Sequence, residues 1–180
     1  MKNIESKKNK KEQRWIFLIT LLAFIISFCL SLISELIIPN TFLVINIILV
    51  LLFILLGIVF DIIGVAVTTA LEKSFHSMAS RKLNGAKTAI SFINNKEKVS
   101  SFCNDVIGDI CGVLSGSAGL AIALKVQEVL EIDLLICTVM ITSVISALTI
   151  GGKALGKKVA VNNSNKIVYT VTKILGVFKK

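Results

Sequence analysis

Proline, histidine and tryptophan each occur once in this chain, cysteine occurs four times, and charged residues make up only 17% of the 180 positions. Each scarcity removes a class of protein. Soluble domains carry about 25% charged residues, so a water-soluble globular fold is disfavoured. Low charge combined with 54% hydrophobic residues excludes intrinsic disorder, and a single proline excludes a collagen-like chain. Cys29, Cys103, Cys111 and Cys137 are too few for a disulfide scaffold, form no C-x-x-C pair, and read as small apolar fillers. His76 stands alone without an H-E-x-x-H motif, which removes a catalytic zinc. No nucleophile motif, Gly-rich phosphate loop or Ser/His/Asp set is present, so the chain is not expected to be an enzyme.

What is abundant is apolar sequence, with a mean hydropathy of +0.84. Its distribution predicts an all-α polytopic membrane protein with four transmembrane helices and cytoplasmic amphipathic juxtamembrane helices. Residues 1–14 are a basic N-terminus. Residues 15–38, Trp15 to Ile38, hold one ionisable group, Glu35, and are long enough to cross about 30 Å of hydrocarbon. A cleaved signal peptide is the alternative for this segment. Its apolar run exceeds the roughly 15 residues of a signal core, and no A-x-A site follows.

Residues 39–152 form a three-span core. Pro39-Asn40 breaks the first helix, and Phe42 to about Val67 makes the second span, with Asp61 inside it. So short a link predicts an antiparallel hairpin. Residues 68–104 change character: Phe75, Ala79, Leu83, Ala86, Ile90 and Ile93 recur at helical spacing among charges, as expected of a segment on a membrane face. Asn84-Gly85 divides that segment and Asn94-Asn95 ends its second helix. Val106 to Leu124 and Ile132 to Ile150 are the remaining spans. After Gly151-Gly152, residues 153–180 read as a basic amphipathic tail, with Ile167, Val171, Ile174 and Phe178 on one side and Lys166, Lys173 and Lys180 spaced by seven.

Four crossings put nineteen of the twenty Lys and Arg residues on one side, leaving Lys125 with Glu35, Glu128, Glu131 and Asp133 on the other. The positive-inside rule then predicts a multi-pass protein of the cell membrane with both termini and the juxtamembrane helices in the cytoplasm. It also accounts for the net charge of +9 as orientation and attraction to anionic lipid headgroups. No nucleic-acid motif and no stacking aromatics accompany the basic residues, so nucleic acid is not an expected partner.

A carboxylate at mid-bilayer costs about 2.5 to 3.5 kcal/mol on insertion scales, so acids in spans are candidates for function. Asp61 lies toward the cytoplasmic end of its span, and Asp105 and Asp109 share a face one turn apart at the entry to the third. With Asn104 they offer the carboxylate and amide oxygens that a hydrated Mg²⁺ requires. The alternative is that they reach interfacial water or pair with Lys98 or Lys153. Gly108, Gly112 and Gly116 repeat every fourth residue and are expected to pack against another helix. Thr138, Thr142, Ser143, Ser146 and Thr149 give the fourth span a polar strip, whose simplest role is bonding to backbone carbonyls.

From about Ile58 onward the motif order resembles the transmembrane domain of the CNNM/CorB/CorC magnesium-transporter family. The matching stretches are Ala70-Leu71-Glu72-Lys73, then Gly85 through Asn95 with Lys96-Glu97-Lys98, then Gly156-Lys157-Lys158-Val159-Ala160-Val161-Asn162-Asn163 with Lys166-Ile167. The chain departs from that pattern in three places. The acid of the family's S-G-x-E motif is missing near Ile62 to Val65, with Asp61 one turn earlier. The G-N motif has only Asn104-Asp105 and Gly108-Asp109 nearby, and F-G-E-x-x-P-K reads Gly151-Gly152-Lys153-Ala154-Leu155-Gly156-Lys157. The family's CBS domains are absent, so nucleotide sensing is not expected.

The resemblance implies binding or transport of divalent cations, with Mg²⁺ as cargo, in a homodimer. Lys153, where the family has an acid, would be a tethered charge that holds the site shut. Two other readings stay open: a non-transporting scaffold or partner subunit, and a holin-like pore-former.

Overall fold

The computed structural model describes residues 2–37 and 41–177, with side chains described for 13–34, 36 and 41–176. The Pro39-Asn40 break, the Glu35 side chain, Phe178 and Lys180 lie outside the described residues. The chain is all-α: helices α1 (Lys2–Ile37), α2 (Leu43–Thr69), α3 (Glu72–Ser80), α4 (Ala86–Asn94) and α5 (Lys96–Ser101) are followed by a π-helical segment (Phe102–Gly108), then α6 (Asp109–Leu130), α7 (Leu134–Asn162) and α8 (Ser164–Val177). Four stretches are long and apolar enough to cross a bilayer: Gln13–Ser34, Leu43–Thr69, Lys96–Leu130 and Leu134–Asn162. It is a polytopic membrane protein.

Two boundaries differ from the expected ones. The third span is not separated from the juxtamembrane segment near residue 104, because α5, the π-helical segment and α6 run on as one rod. Nor does Gly151-Gly152 end the fourth span; α7 continues to Asn162. Glycine in a buried helix interface costs less than in water because it lets a neighbour approach. A Cβ on Gly152 would overlap Ile58, and one on Gly156 would stand 2.8 Å from Cγ1 of Ile62. These two glycines are therefore where α7 closes on α2.

Helix α2 is the centre of the bundle, packed against α6, α7, the π-helical segment, α5 and α8. One apolar cluster joins Val50 and Ile54 of α2 to Ala118, Ala121 and Ile122 of α6 and Ile145 of α7. Outward faces are apolar as well: Phe17, Leu55 and Met140 are each more than 60% exposed, as lipid-facing residues are. The first helix packs against the π-helical segment and α6 through Ile19, Ala23 and Ile26, which meet Val106, Ile110 and Leu114.

The amphipathic helices gather at one end. Phe75, Ala89, Ile93 and Val168 are buried with Ala66 and Val67 of α2, and the Asn165 side chain accepts a hydrogen bond from Leu71 N at 2.9 Å. Gly85 turns the chain between α3 and α4 in the left-handed region (φ +87°), where a Cβ would lie 2.8 Å from Lys173 N of α8. The Lys98 ammonium stands 5.7 Å from the centre of the Trp15 ring, which brings the start of the first span to this same end. At the far end, the Asp133 carboxylate caps α7 by accepting from Leu135 N at 2.7 Å.

Candidate functional site

Along α2, Gly57, Asp61 and Gly64 fall at helical spacing on one face, and contacts at the two glycines show where that face points. A Cβ on Gly57 would touch Cys111 Cβ at 3.4 Å and the Gly108 carbonyl oxygen at 3.8 Å. A Cβ on Gly64 would overlap the Asn104 amide, 2.8 Å from its Cγ. Asp61, set between them, faces the seam with the π-helical segment. It is 5% exposed, and its Oδ2 has no hydrogen-bond partner.

Asn104 enters the same seam from the other helix, against Gly64. Its Nδ2 donates to Ser100 Oγ at 3.3 Å, while its Oδ1 is buried without a partner. Buried oxygens are almost always satisfied, so two orphaned acceptors on facing helices can take a donor or a cation. The π-helical winding of residues 102–108 coincides with the seam, and such turns recur at functional sites.

The third contributor comes from α7. Half-buried Lys153 carries its Nζ to 3.6 Å from where a Gly108 Cβ would be. Among the described residues it forms no ion pair; the ion pair found there joins His76 and Glu72 at 3.1 Å, on the exposed face of α3. An ammonium therefore sits beside the seam without being locked to the Asp61 carboxylate.

The expected set of four divides in two. Asp61 and Asn104 both turn to the α2 seam, whereas Asp105 and Asp109 are exposed. Residues 104 and 105 point roughly a quarter turn or more apart on any helix, so turning Asn104 toward Gly64 turns Asp105 away. The alternative pairing of these acids with Lys98 or Lys153 is not observed among the described residues. No group of three or more His, Cys, Asp or Glu side chains is placed to hold a metal among the described residues.

The glycine strip also divides. Gly108 is buried near Cys103 O and Lys153 Nζ, but Gly112 and Gly116 meet nothing within 4 Å. Packing within the chain falls instead to Gly57, Gly64, Gly119, Gly152 and Gly156. Of these, Gly152 and Gly156 carry the four-residue signal; Gly64 carries none. On α7, Thr142 and Thr149 bond to the carbonyls of Thr138 and Ile145 at 2.7 and 2.8 Å.

A second polar point was not signalled by any ionisable residue. Asn46, fully buried in α2, accepts a hydrogen bond from Thr41 Oγ1 and leaves its Nδ2 without a partner. Comparison with known proteins finds no family that matches this chain, and no curated protein or solved structure that matches it.

Proposed function

We propose that this membrane protein binds or moves a divalent cation, Mg²⁺ first, at the seam between Asp61 and Asn104. The observation that carries the reading is the pair of buried, unpartnered oxygens, Asp61 Oδ2 and Asn104 Oδ1, on facing helices. Mg²⁺ keeps most of its waters and asks for one or two carboxylates, so one acid and one amide oxygen suit a hydrated ion better than a stripped one. Lys153 supplies a resident positive charge that competes with the cation and would withdraw as it enters. The resemblance to the CNNM/CorB/CorC transmembrane domain supports Mg²⁺ as cargo. The charge distribution supports a cell-membrane location with both termini and the amphipathic helices cytoplasmic, which makes the seam open toward the cytoplasm. A homodimer belongs to the same proposal, supported by the resemblance and by the open faces of Gly112 and Gly116.

The scaffold reading has its own support in the exposure of Asp105 and Asp109 and in that open glycine strip. Cation flux in proteoliposomes separates the two. Transport predicts Mg²⁺ uptake that Asp61→Asn abolishes; no uptake by the parent protein favours the scaffold.

A further inference from the structure

An apolar cavity of about 560 Å³ lies where α2, α4, α5, the π-helical segment and α8 meet, apart from the Asp61 seam. Phe60 and Ile63 form one wall, Phe102 another, and Val171 and Ile174 of α8 a third, leaving it open on one side. All its lining residues are apolar except Lys98. Its volume falls within the roughly 300 to 1,000 Å³ of ligand pockets. Water is a poor occupant, since an ordered water needs two to four polar partners that these walls do not offer.

Position and charge identify a better one. Lys98 stands over Trp15, and tryptophan at the end of an apolar span belongs to the headgroup level of a bilayer. The cavity mouth is therefore at the interface, with its apolar interior beside hydrocarbon. Lys98 is exposed, and among the described residues no carboxylate pairs with it. Residues 72–101 and 164–177 together hold eight Lys or Arg residues, Lys98 included, against Glu72 and Glu97, so this end of the protein is basic. We infer that the cavity is a binding site for an anionic phospholipid, with an acyl chain between Phe102 and α8 and the headgroup phosphate on Lys98. Zwitterionic lipids offer the same chain without net charge, so the lysine sets the preference. This inference is independent of the cation reading.

The sole tryptophan makes the test direct, because Trp15 lies against the proposed headgroup ligand. The full chain is reconstituted in phosphatidylcholine vesicles containing a small fraction of acyl-brominated phosphatidylglycerol or acyl-brominated phosphatidylcholine, and Trp15 fluorescence is recorded. The anionic quencher should act with about fivefold higher apparent affinity, the scale of one lysine at a membrane surface. Lys98→Gln should erase that preference, Val171→Phe should reduce it by filling the cavity, and Lys125→Gln, near the far end of α6, should leave it intact. Equal quenching by the two lipids in the parent protein, or an undiminished preference in Lys98→Gln, would overturn the proposal.

Discussion

Gly64 and Asn104 are in direct contact across the α2 seam, close enough that a Cβ on the glycine would stand 2.8 Å from the amide carbon. Nothing larger than hydrogen fits there while the asparagine keeps its position. Gly64→Ala should therefore push the Asn104 side chain out of the seam. Overpacking of this kind costs about 1 to 3 kcal/mol. Thermal unfolding in detergent should show that loss, together with loss of any Mg²⁺-dependent rise in melting temperature; an unchanged Mg²⁺ response would separate Asn104 from the site.

Asp61 is buried with an unpartnered oxygen, which costs stability unless an ion satisfies it. Asp61→Asn should leave the cation-free protein as stable as the parent or about 1 to 3 kcal/mol more so, on the scale of an unsatisfied buried polar group. The same substitution should remove stabilisation by Mg²⁺. Melting curves with Mg²⁺ and with a chelator test both halves, and a variant that melts lower without Mg²⁺ would show that the carboxylate has a structural role.

Lys153 brings an ammonium beside the seam from the third of the packed helices. Lys153→Met keeps an unbranched side chain, one atom shorter, and removes the charge. Cation affinity should rise by about tenfold, equivalent to about 1.4 kcal/mol of relieved repulsion. A fall in affinity would mean that the lysine holds Asp61 in place.

Gly85 combines a left-handed backbone with the close approach of Lys173. Gly85→Ala should cost about 1 to 3 kcal/mol from backbone strain alone, and should free α8 from α4. Hydrogen exchange should quicken across residues 164–177 and leave the spans protected. Uniform protection would show that α8 is held by Val168 and Thr172 instead.

A Cβ added at Gly112 would meet nothing within 4 Å. If the proposed homodimer packs on this strip, Gly112→Leu should keep the melting temperature of the protomer and abolish the dimer that light scattering finds for the parent. An unaffected dimer would move the interface elsewhere.

The spans and amphipathic helices are readable from the sequence because hydropathy and period report burial in lipid and packing on a surface. Helix ends at Asn94 and the turn at Gly85 follow equally from backbone chemistry. Partner choice is not encoded so plainly. Apolar faces of α1 fit α6 as well as any neighbour, and only the assembled bundle shows Ile19, Ala23 and Ile26 against it. Asp105 and Asp109 are both exposed, and periodicity alone does not say which face turns inward. The space at Gly64 decides that in favour of Asn104. Gly151-Gly152 reads as a stop because glycine ends helices in water, whereas between membrane helices it admits Ile58. The π-helical turn leaves no local signature.

Isothermal titration of Mg²⁺ into the purified parent, Asp61→Asn and the Asp105→Asn, Asp109→Asn double variant measures the cation site itself. The account predicts saturable binding in the parent, its loss in Asp61→Asn, and its retention in the double variant. Absence of binding in the parent, or binding that survives Asp61→Asn and disappears with the two exposed aspartates, would contradict it.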